Sequence, residues 1–215
     1  MHIIDLSHTF SSKMPVTEGV SPPVYRKIGD VKAGDLYELT VIENHVCHIG
    51  THIDCSAHMC PEGYYIQERE AGFWMGKGKV IDCRAYPEGS TMGMEILANV
   101  NLDETEFLLL YCGWDRRWTE PEAYYGKYPV ITQELADYLG RHPKVRGLGV
   151  EMNSVDKAGD SSQIIHKTFL KYNKTIIECL KNMEVLLDKD FLFQALPLKI
   201  NNAEGSPVRA VAILE

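Results

Sequence analysis

Four of the eight histidines in the chain lie within fourteen residues, beside an aspartate. The segment from His45 to His58 reads HVCHIGTHIDCSAH and includes His48, His52 and Asp54. Imidazole and carboxylate groups together suit zinc, manganese or iron(II), and three protein ligands leave a coordination position for water. The cluster therefore predicts a catalytic site that holds a divalent metal ion.

The spacing of His48, His52 and Asp54 restricts the backbone that can present all three to one metal ion. A helix places His48 and His52 on one face, but Asp54 would lie about 240° around the axis from His48. In extended chain the three side chains share a face, but His48 and His52 would be roughly 13 Å apart. A bend at Gly50, which tolerates unusual backbone angles, would remove that distance.

Strand-like segments surround this cluster. Residues 36–47, rich in β-branched and aromatic side chains, predict a strand directly before the histidines. Short apolar runs bounded by turn residues predict buried strands in other parts of the chain. These runs lie at residues 3–6, 79–83, 106–111, 147–151, 175–178 and 208–214.

Three helices are expected between the strands. Thr132 fits the N-cap of an amphipathic segment, which predicts one helix. A second is expected within residues 92–100. A third is expected to begin at a cap, Asp160 or Ser161, and to stop at a left-handed Asn173.

Length and composition indicate one globular domain. The chain has 215 residues, of which 45% are apolar and 24% charged. Interleaved strands and helices predict a mixed α/β domain over residues 1–215, in which residues 1–30 form an N-terminal strand and arm. The six cysteines contain no Cys-x-x-Cys pair, so we expect reduced thiols.

Charge and hydropathy exclude two classes of partner. The net charge is −8 and no basic cluster is present, which argues against nucleic-acid binding. No apolar run approaches the ~20 residues of a membrane helix, and the start lacks a signal-peptide pattern. We therefore expect a cytoplasmic protein that acts on a small molecule.

The segment from His48 to His58 resembles the His-x-Gly-Thr-His-x-Asp-x-Pro-x-His signature of the cyclase-like metal-dependent hydrolases. This family includes bacterial kynurenine formamidase and isatin hydrolase. Residues 4–8, 113–116 and 147–156 are similar to further blocks of the family. A late histidine and glutamate twelve residues apart are also typical of it, as His166 and Glu178 are here.

The resemblance implies that His48, His52 and Asp54 bind one metal ion, and that Asp54, His166 and Glu178 can bind a second. The expected cofactor is one or two divalent ions, with zinc as first choice and manganese as the alternative. The resemblance also assigns His58 the role of acid and base rather than of ligand.

The same resemblance implies a fold and an assembly. The expected fold is a swivelling β/β/α-type single domain with a small mixed sheet or barrel and flanking helices. The expected assembly is a homodimer or a dimer of dimers.

We therefore predict a hydrolase that cleaves a carbon–nitrogen amide bond of a small aromatic substrate. An arylformamidase of this kind converts N-formylkynurenine into kynurenine and formate in tryptophan catabolism. The metal would polarise the scissile carbonyl and lower the pKa of a bound water toward ~7. His58 would then transfer a proton to the departing amine.

Three alternative functions stay open. The first is hydrolysis of a cyclic amide or lactone, as in isatin hydrolase. The second is metal binding without turnover. The third is an amidase with a cysteine nucleophile, since Cys47, Cys55 and Cys60 neighbour the histidines.

Three positions depart from the family pattern. Ser56 stands where the family has a proline, and this change is expected to loosen the turn that aims His58. Glu151 stands where the family has aspartate. Thr17 stands where kynurenine formamidases have a tryptophan that contacts the aromatic substrate, so the substrate assignment is weaker than the reaction class.

Several residues outside the signature are candidates for supporting roles. Tyr64, Tyr65, Phe73 and Trp74 could wall an aromatic pocket, or could equally be core or interface residues. His8 could approach the site as a donor behind the ligands, or could equally lie on the surface. The histidines without an assigned role are His2, His45 and His142.

Overall fold

A closed sheet forms the centre of the molecule in the computed structural model, which describes residues 1–17, 19–43 and 46–214. His45, which has no assigned role, lies outside the described residues. The strands are β1 (His2–Asp5), β2 (Val24–Gly29), β3 (Leu39–Glu43), β4 (His52–Asp54), β5 (Met75–Asp82), β6 (Thr91–Met92), β7 (Phe107–Tyr111), β8 (Val130–Ile131), β9 (Gly147–Val150), β10 (Thr175–Glu178), β11 (Phe191–Pro197) and β12 (Gly205–Leu214).

Three α-helices and several 3₁₀ turns connect these strands. The helices are α1 (Pro121–Tyr124), α2 (Gln133–Arg141) and α3 (Ile164–Leu170). The 3₁₀ turns lie at Val31–Ala33, Ser56–His58, Ile66–Glu68, Ala71–Trp74, Met94–Leu97, Leu102–Glu104, Trp114–Arg117 and Met183–Leu186. No helix in the described part of the chain is long and apolar enough to cross a membrane. The cytoplasmic location stays a prediction.

The main sheet closes on itself because β4 pairs with two strands. The order is β1-β12-β11-β5-β7-β9-β10-β4, and β4 also pairs antiparallel with β12. Strands β5, β7, β9 and β10 are parallel to one another, and the other pairings are antiparallel. This mixed barrel with flanking helices confirms the predicted fold class.

Strand β7 shows why the central strands have continuous apolar sequences. Its alternate side chains point to opposite faces of the sheet, and all five are buried. Phe107 and Leu109 pack in the core cluster that contains Phe193 of β11. Leu108 and Leu110 pack in a second cluster, which contains buried side chains of α2 and α3. The barrel therefore has a core on each side of its parallel strands.

The strand predicted over residues 36–47 is shorter in the structure and is not part of the main sheet. Among the described residues of this range, only Leu39–Glu43 forms a strand, and it pairs with β2 in a separate two-stranded sheet. Strand β2 itself falls within the predicted N-terminal arm. Most large apolar side chains of this β2–β3 hairpin are exposed, for example Ile28 at 51% and Ile42 at 46%.

Two helix predictions need correction. Residues 92–100 form the end of β6 and a 3₁₀ turn, because Gly93 and the return to extended chain leave too few residues to nucleate an α-helix. Neither Asp160 nor Ser161 caps α3. Gln163 is the capping residue, and its side chain makes no capping hydrogen bond. The predicted cap of α2 by Thr132 and the left-handed Asn173 are confirmed.

Candidate metal centre and active site

The short strand β4 places His52 and Asp54 on one face of the barrel wall, because residues two apart in a strand point the same way. In the antiparallel register, Glu178 of β10 lies directly opposite His52. His52 Nε2 is 3.3 Å from Asp54 Oδ1 and 3.5 Å from Glu178 Oε2. All three side chains are buried. Strand pairing therefore joins residues that are far apart in the sequence.

The chain bends at Gly50, as the ligand spacing predicts. Gly50 has a φ of +62°, and a Cβ atom there would lie 2.6 Å from the Met14 methyl carbon. The bend brings His48 Nδ1 to 2.6 Å from Asp54 Oδ1. The Gly50 carbonyl also accepts a hydrogen bond from His52 Nδ1 at 2.7 Å, which leaves Nε2 to face the carboxylates.

His166 reaches the same place from helix α3, held by Asp156. The Asp156 carboxylate accepts hydrogen bonds from His166 Nδ1 at 2.6 Å, and from the backbone N–H groups of Ile165 and His166. This leaves His166 Nε2 at 3.4 Å from Asp54 Oδ2 and 3.2 Å from Glu178 Oε1. A carboxylate behind the ring is typical of metal-binding histidines. Sequence reasoning placed Asp156 in a family block without a role.

His58 lies at the outer side of the cluster, on the 3₁₀ turn Ser56–His58. Its ring stacks on His48 at 3.9 Å between centroids and lies 6.0 Å from the ring of His166. Burial lowers the pKa of His58 to about 4, although the charge of Asp54 opposes this shift. The ring is therefore neutral near pH 7 and can accept a proton.

Ser56 ties this turn instead of loosening it. The buried Ser56 hydroxyl accepts the Tyr64 N–H at 2.8 Å and donates to Asn173 Oδ1 at 3.1 Å. These bonds connect the turn to two later parts of the chain. The expectation that replacing the family's proline would loosen the turn stays a prediction, and these two bonds argue against it.

Two carboxylate oxygens of the inner cluster have no hydrogen-bond donor among the described residues. Asp54 Oδ2 and Glu178 Oε1 are buried and accept no hydrogen bond from the described residues. His52 and His166 each carry a proton on Nδ1, so in their neutral forms both present an Nε2 lone pair to the carboxylates of Asp54 and Glu178. A proton or a cation must lie between each ring and its neighbouring carboxylate.

The pKa shifts of the buried side chains agree with this need for a proton or a cation. Burial lowers the pKa of His52 and of His166, but the neighbouring carboxylates raise both well above the ordinary value. Burial raises the pKa of Asp54, but the imidazoles lower it well below its ordinary value. Burial and the charge of Asp54 raise the pKa of Glu178. Imidazole nitrogens around unpartnered carboxylate oxygens fit a divalent metal ion.

Among the described residues, two groups of side chains could each hold a metal ion, because the ligand atoms within each group lie within 4.8 Å of one another. Both groups differ from the predicted sets. One group is His48, Asp54 and His58, and the other is His52, Asp54 and Glu178. Asp54 is common to both. The structure thus brings together every predicted site residue, and it places His58 as close to Asp54 as a ligand would be. The roles of ligand and of acid or base stay predictions.

A cavity of about 440 Å³ opens onto this cluster. Its wall includes Thr17 of the N-terminal arm and two aromatic residues, Tyr125 and Tyr128. Sequence reasoning missed both tyrosines, because nothing in their local spacing distinguishes them from core residues. Tyr125 occupies the C-cap of α1, so only the folded chain shows where it lies.

Of the two alternatives for the aromatic residues after the signature, a pocket wall or a core, the structure supports the core. Tyr64 and Trp74 are buried in a core cluster against which Phe73 packs, and none of the three lines the cavity. The Arg69 guanidinium lies over the Tyr64 ring at 4.1 Å and helps to hold this group together. Tyr65 does not line the cavity either, and is 39% exposed.

His8 lies outside the reactive cluster, and burial disfavours a cysteine nucleophile. The ring of His8 stacks on Trp118 at 3.9 Å, and only its backbone N–H reaches toward the site, through Thr51 Oγ1 at 2.9 Å. All six cysteines are free. Burial raises the pKa of Cys55 to about 12 and also raises the pKa of Cys47 and Cys60, which disfavours a thiolate nucleophile.

Comparison with known proteins adds the family. The Cyclase family model matches residues 4–157. Kynurenine formamidase of Geobacillus thermodenitrificans is 31% identical over 214 residues, covering 96% of this chain and 95% of the relative. The corresponding protein of Bacillus cereus is 28% identical over 215 residues, covering 97% and 95%. The chain belongs to the family of cyclase-like metal-dependent hydrolases.

Solved structures show that the family fold extends over the whole chain. Isatin hydrolase A from Ralstonia solanacearum has a TM-score of 0.87 at 23% identity, covering 100% of this chain and 92% of that chain. A structure described as a potential metal-dependent hydrolase with cyclase activity has a TM-score of 0.78 at 19% identity, covering 98% and 96%. The family model ends at residue 157, so His166 and Glu178 lie beyond it and within the span of the full-length relatives.

Proposed function

We propose that this chain is an arylformamidase-like hydrolase, which converts N-formylkynurenine into kynurenine and formate. One observation carries the proposal. Two buried carboxylates with unpartnered oxygens, Asp54 and Glu178, lie among imidazoles on a cavity that is large enough for an aromatic ring. The kynurenine formamidases among its relatives, which match nearly the whole chain, support this choice of substrate.

In this proposal His48, His52 and Asp54 hold one divalent ion, and Asp54, His166 and Glu178 can hold a second. Zinc is our first choice, because the ligand set of imidazoles and carboxylates suits it, and manganese is the alternative. A bound divalent cation supplies Lewis acidity, which polarises the scissile carbonyl and lowers the pKa of water.

The remaining chemistry belongs to the side chains. His58, neutral near pH 7, takes a proton from the attacking water as the water oxygen bonds to the formyl carbon. It then delivers that proton to the nitrogen of the breaking carbon–nitrogen bond, so that an amine and formate leave. Such proton transfer typically contributes about 10²–10⁴ to the rate. Asp156 and the Gly50 carbonyl hold the rings of His166 and His52 in place throughout.

The cavity supports an aromatic substrate despite the absence of the arm tryptophan. Thr17 and Tyr125 both line the cavity. The phenol rings of Tyr125 and Tyr128 provide an apolar surface for an aryl group. The aromatic contact that the arm lacks is therefore supplied from a later part of the chain.

Hydrolysis of a cyclic amide is the second candidate. Isatin hydrolases share the fold with a TM-score of 0.87, and the same polarised carbonyl and His58 could open a strained ring. In that reaction the carboxylate and the amine stay on one molecule. Substrate choice, rather than a different set of catalytic residues, separates the two candidates.

The deciding experiment compares metal-depleted protein with protein reloaded with zinc or manganese. Hydrolysis of N-formylkynurenine and of isatin is followed by absorbance, and the metal content by elemental analysis. We expect metal-dependent hydrolysis of N-formylkynurenine, which alanine at Cys47, Cys55 or Cys60 leaves unchanged. Bound metal with hydrolysis of neither compound would contradict the proposal and favour metal binding without turnover.

We also propose that the chain forms a homodimer or a dimer of dimers. The β2–β3 hairpin leaves Tyr25, Ile28 and Ile42 exposed, and an apolar surface of this kind favours association with another protein surface. Sedimentation equilibrium should give at least twice the chain mass. The double variant Ile28→Glu/Ile42→Glu should sediment as a monomer, and an unchanged mass would contradict this role of the hairpin.

A further inference from the structure

One lysine borders the cavity. Among the described residues of its wall, Lys157 is the only lysine or arginine. Its side chain is exposed, and its ammonium makes no ion pair or side-chain hydrogen bond with the described residues. Some other exposed cations are paired, for example Lys171 with Asp137 and Arg209 with Asp5, and the feature that distinguishes Lys157 is its place on the cavity wall. In a chain with a net charge of −8, an unpaired cation at this edge is available to a ligand.

The backbone of Lys157 is fixed relative to the reactive cluster. The preceding residue, Asp156, is 1% exposed and holds the ring and the N–H of His166. The Lys157 carbonyl accepts the Asp160 N–H at 3.0 Å, which closes the turn that follows. The flexible stem of Lys157 therefore starts one residue from the group that orients His166. Its ammonium can move only within reach of the cavity mouth and the solvent next to it.

We propose that Lys157 binds a carboxylate of the substrate, so that this enzyme prefers aryl amides that carry a carboxylate group away from the scissile bond. The inference rests on the proposed function and adds the substrate class. The carboxylates inside the cluster, Asp54 and Glu178, face imidazoles and a candidate cation site. An ammonium at the mouth is not needed to neutralise them, and it can attract an anionic group of the ligand.

Binding tests this proposal without any need for turnover. The probes are kynurenine and its primary carboxamide, which keeps the aryl ketone and the ammonium and lacks only the negative charge. Their dissociation constants are measured by calorimetry on zinc-loaded protein. We expect the wild type to prefer kynurenine, and Lys157→Gln to lose about threefold to fivefold in affinity for it, as for a solvent-exposed ion pair. Affinity for the carboxamide should change less than twofold.

Two further variants serve as controls. Lys157→Arg, which keeps the charge, should restore most of the preference. Lys199→Gln removes an equal charge from an exposed residue that does not line the cavity, and it should leave both affinities unchanged. Raising the salt concentration should reduce the preference of the wild type and leave that of Lys157→Gln unaffected.

The outcomes separate this inference from the proposed function. A wild type that binds neither probe, or binds both equally, overturns the role of Lys157. So does an equal loss of affinity for both probes in Lys157→Gln. If the preference depends on Lys157 but N-formylkynurenine is not hydrolysed, the carboxylate site stands and the arylformamidase assignment fails.

Discussion

Asp54 and Glu151 are two buried carboxylates with opposite surroundings. Each has one oxygen that accepts no hydrogen bond from the described residues. Asp54 lies among imidazoles, which lower its pKa well below the ordinary value although burial opposes them. Around Glu151 the other oxygen accepts two backbone N–H groups, from Cys112 and Trp114, and the neighbouring charge is Asp115. Burial and that charge raise the pKa of Glu151 to about 8.

The difference shows what an unpartnered buried oxygen means. At Asp54 the surrounding groups are nitrogen donors suited to a metal, so the free oxygen indicates a cation site. No imidazole is among the groups that set the pKa of Glu151. Its carboxyl group avoids a buried negative charge by keeping its proton at neutral pH. Burial alone does not identify a metal ligand, and the neighbouring side chains decide.

Replacing Asp54 gives the largest expected effect. Asp54→Asn removes the one carboxylate common to both sets of ligand atoms and leaves the shape almost unchanged. We expect the metal content to fall close to zero and hydrolysis to fall to background, as measured by elemental analysis and absorbance. Glu151→Gln is the matched control, which should keep its metal. An Asp54→Asn variant that binds metal and is active would contradict the contrast between Asp54 and Glu151.

His58 is expected to separate metal binding from proton transfer. His58→Gln keeps a polar side chain of similar size but cannot carry a proton through the reaction. We expect kcat to fall by about 10²–10⁴ while the metal content stays at the wild-type level. If the metal is lost together with activity, His58 is a ligand, as its position beside His48 and Asp54 would allow.

Asp156 should affect metal affinity more moderately, because it acts through His166. Asp156→Asn weakens the charged hydrogen bond to His166 Nδ1 and allows the ring to turn. We expect a loss of about 10–100-fold in metal affinity, measured by competition with a chelator. Asp160→Asn, in the same loop but outside the cluster, should have wild-type affinity. Equal affinities in the two variants would show that Asp156 only caps the helix.

The raised pKa of Glu151 should appear in the pH dependence of the free energy of unfolding. Its pKa of about 8 in the folded chain lies above the ordinary value of 4.5, so the folded state binds more protons between these values. The free energy of unfolding therefore falls as pH rises through this window, by at most about 1.4 kcal/mol per pH unit. Urea unfolding of metal-depleted protein at pH 5.5 and pH 8 should show a smaller fall for Glu151→Gln. Parallel curves would mean that Glu151 is ionised.

The part of the site that sequence reasoning predicted is the part whose residues lie close together in the chain. His48, His52 and Asp54 are neighbours, so their spacing alone required the bend that Gly50 provides. Glu178 joins them through the register of β10 against β4, and that pairing spans more than a hundred residues. A three-residue strand such as β4 is too short to show an alternating pattern.

The fold shows a similar division. Strands β7, β9 and β10 are buried on both faces and therefore have the apolar runs that predicted them. Strand β11 went unpredicted, because its exposed positions Leu192 and Leu196 are also apolar and the sequence therefore shows no alternation of apolar and polar residues. For the aromatic residues after the signature, the sequence could not decide between a cavity wall and a core, because large aromatic side chains occur in both.

Closure of the barrel by β4 has a consequence for how the enzyme matures. The strand that carries the proposed ligands His52 and Asp54 also joins β10 to β12, so the geometry proposed for metal binding exists only after the ends of a long chain segment have met. Such non-local pairing is typically a slow step in folding. A metal ion that binds only the closed form stabilises it by mass action. Metal supply during synthesis should therefore govern how much of the newly made chain escapes degradation.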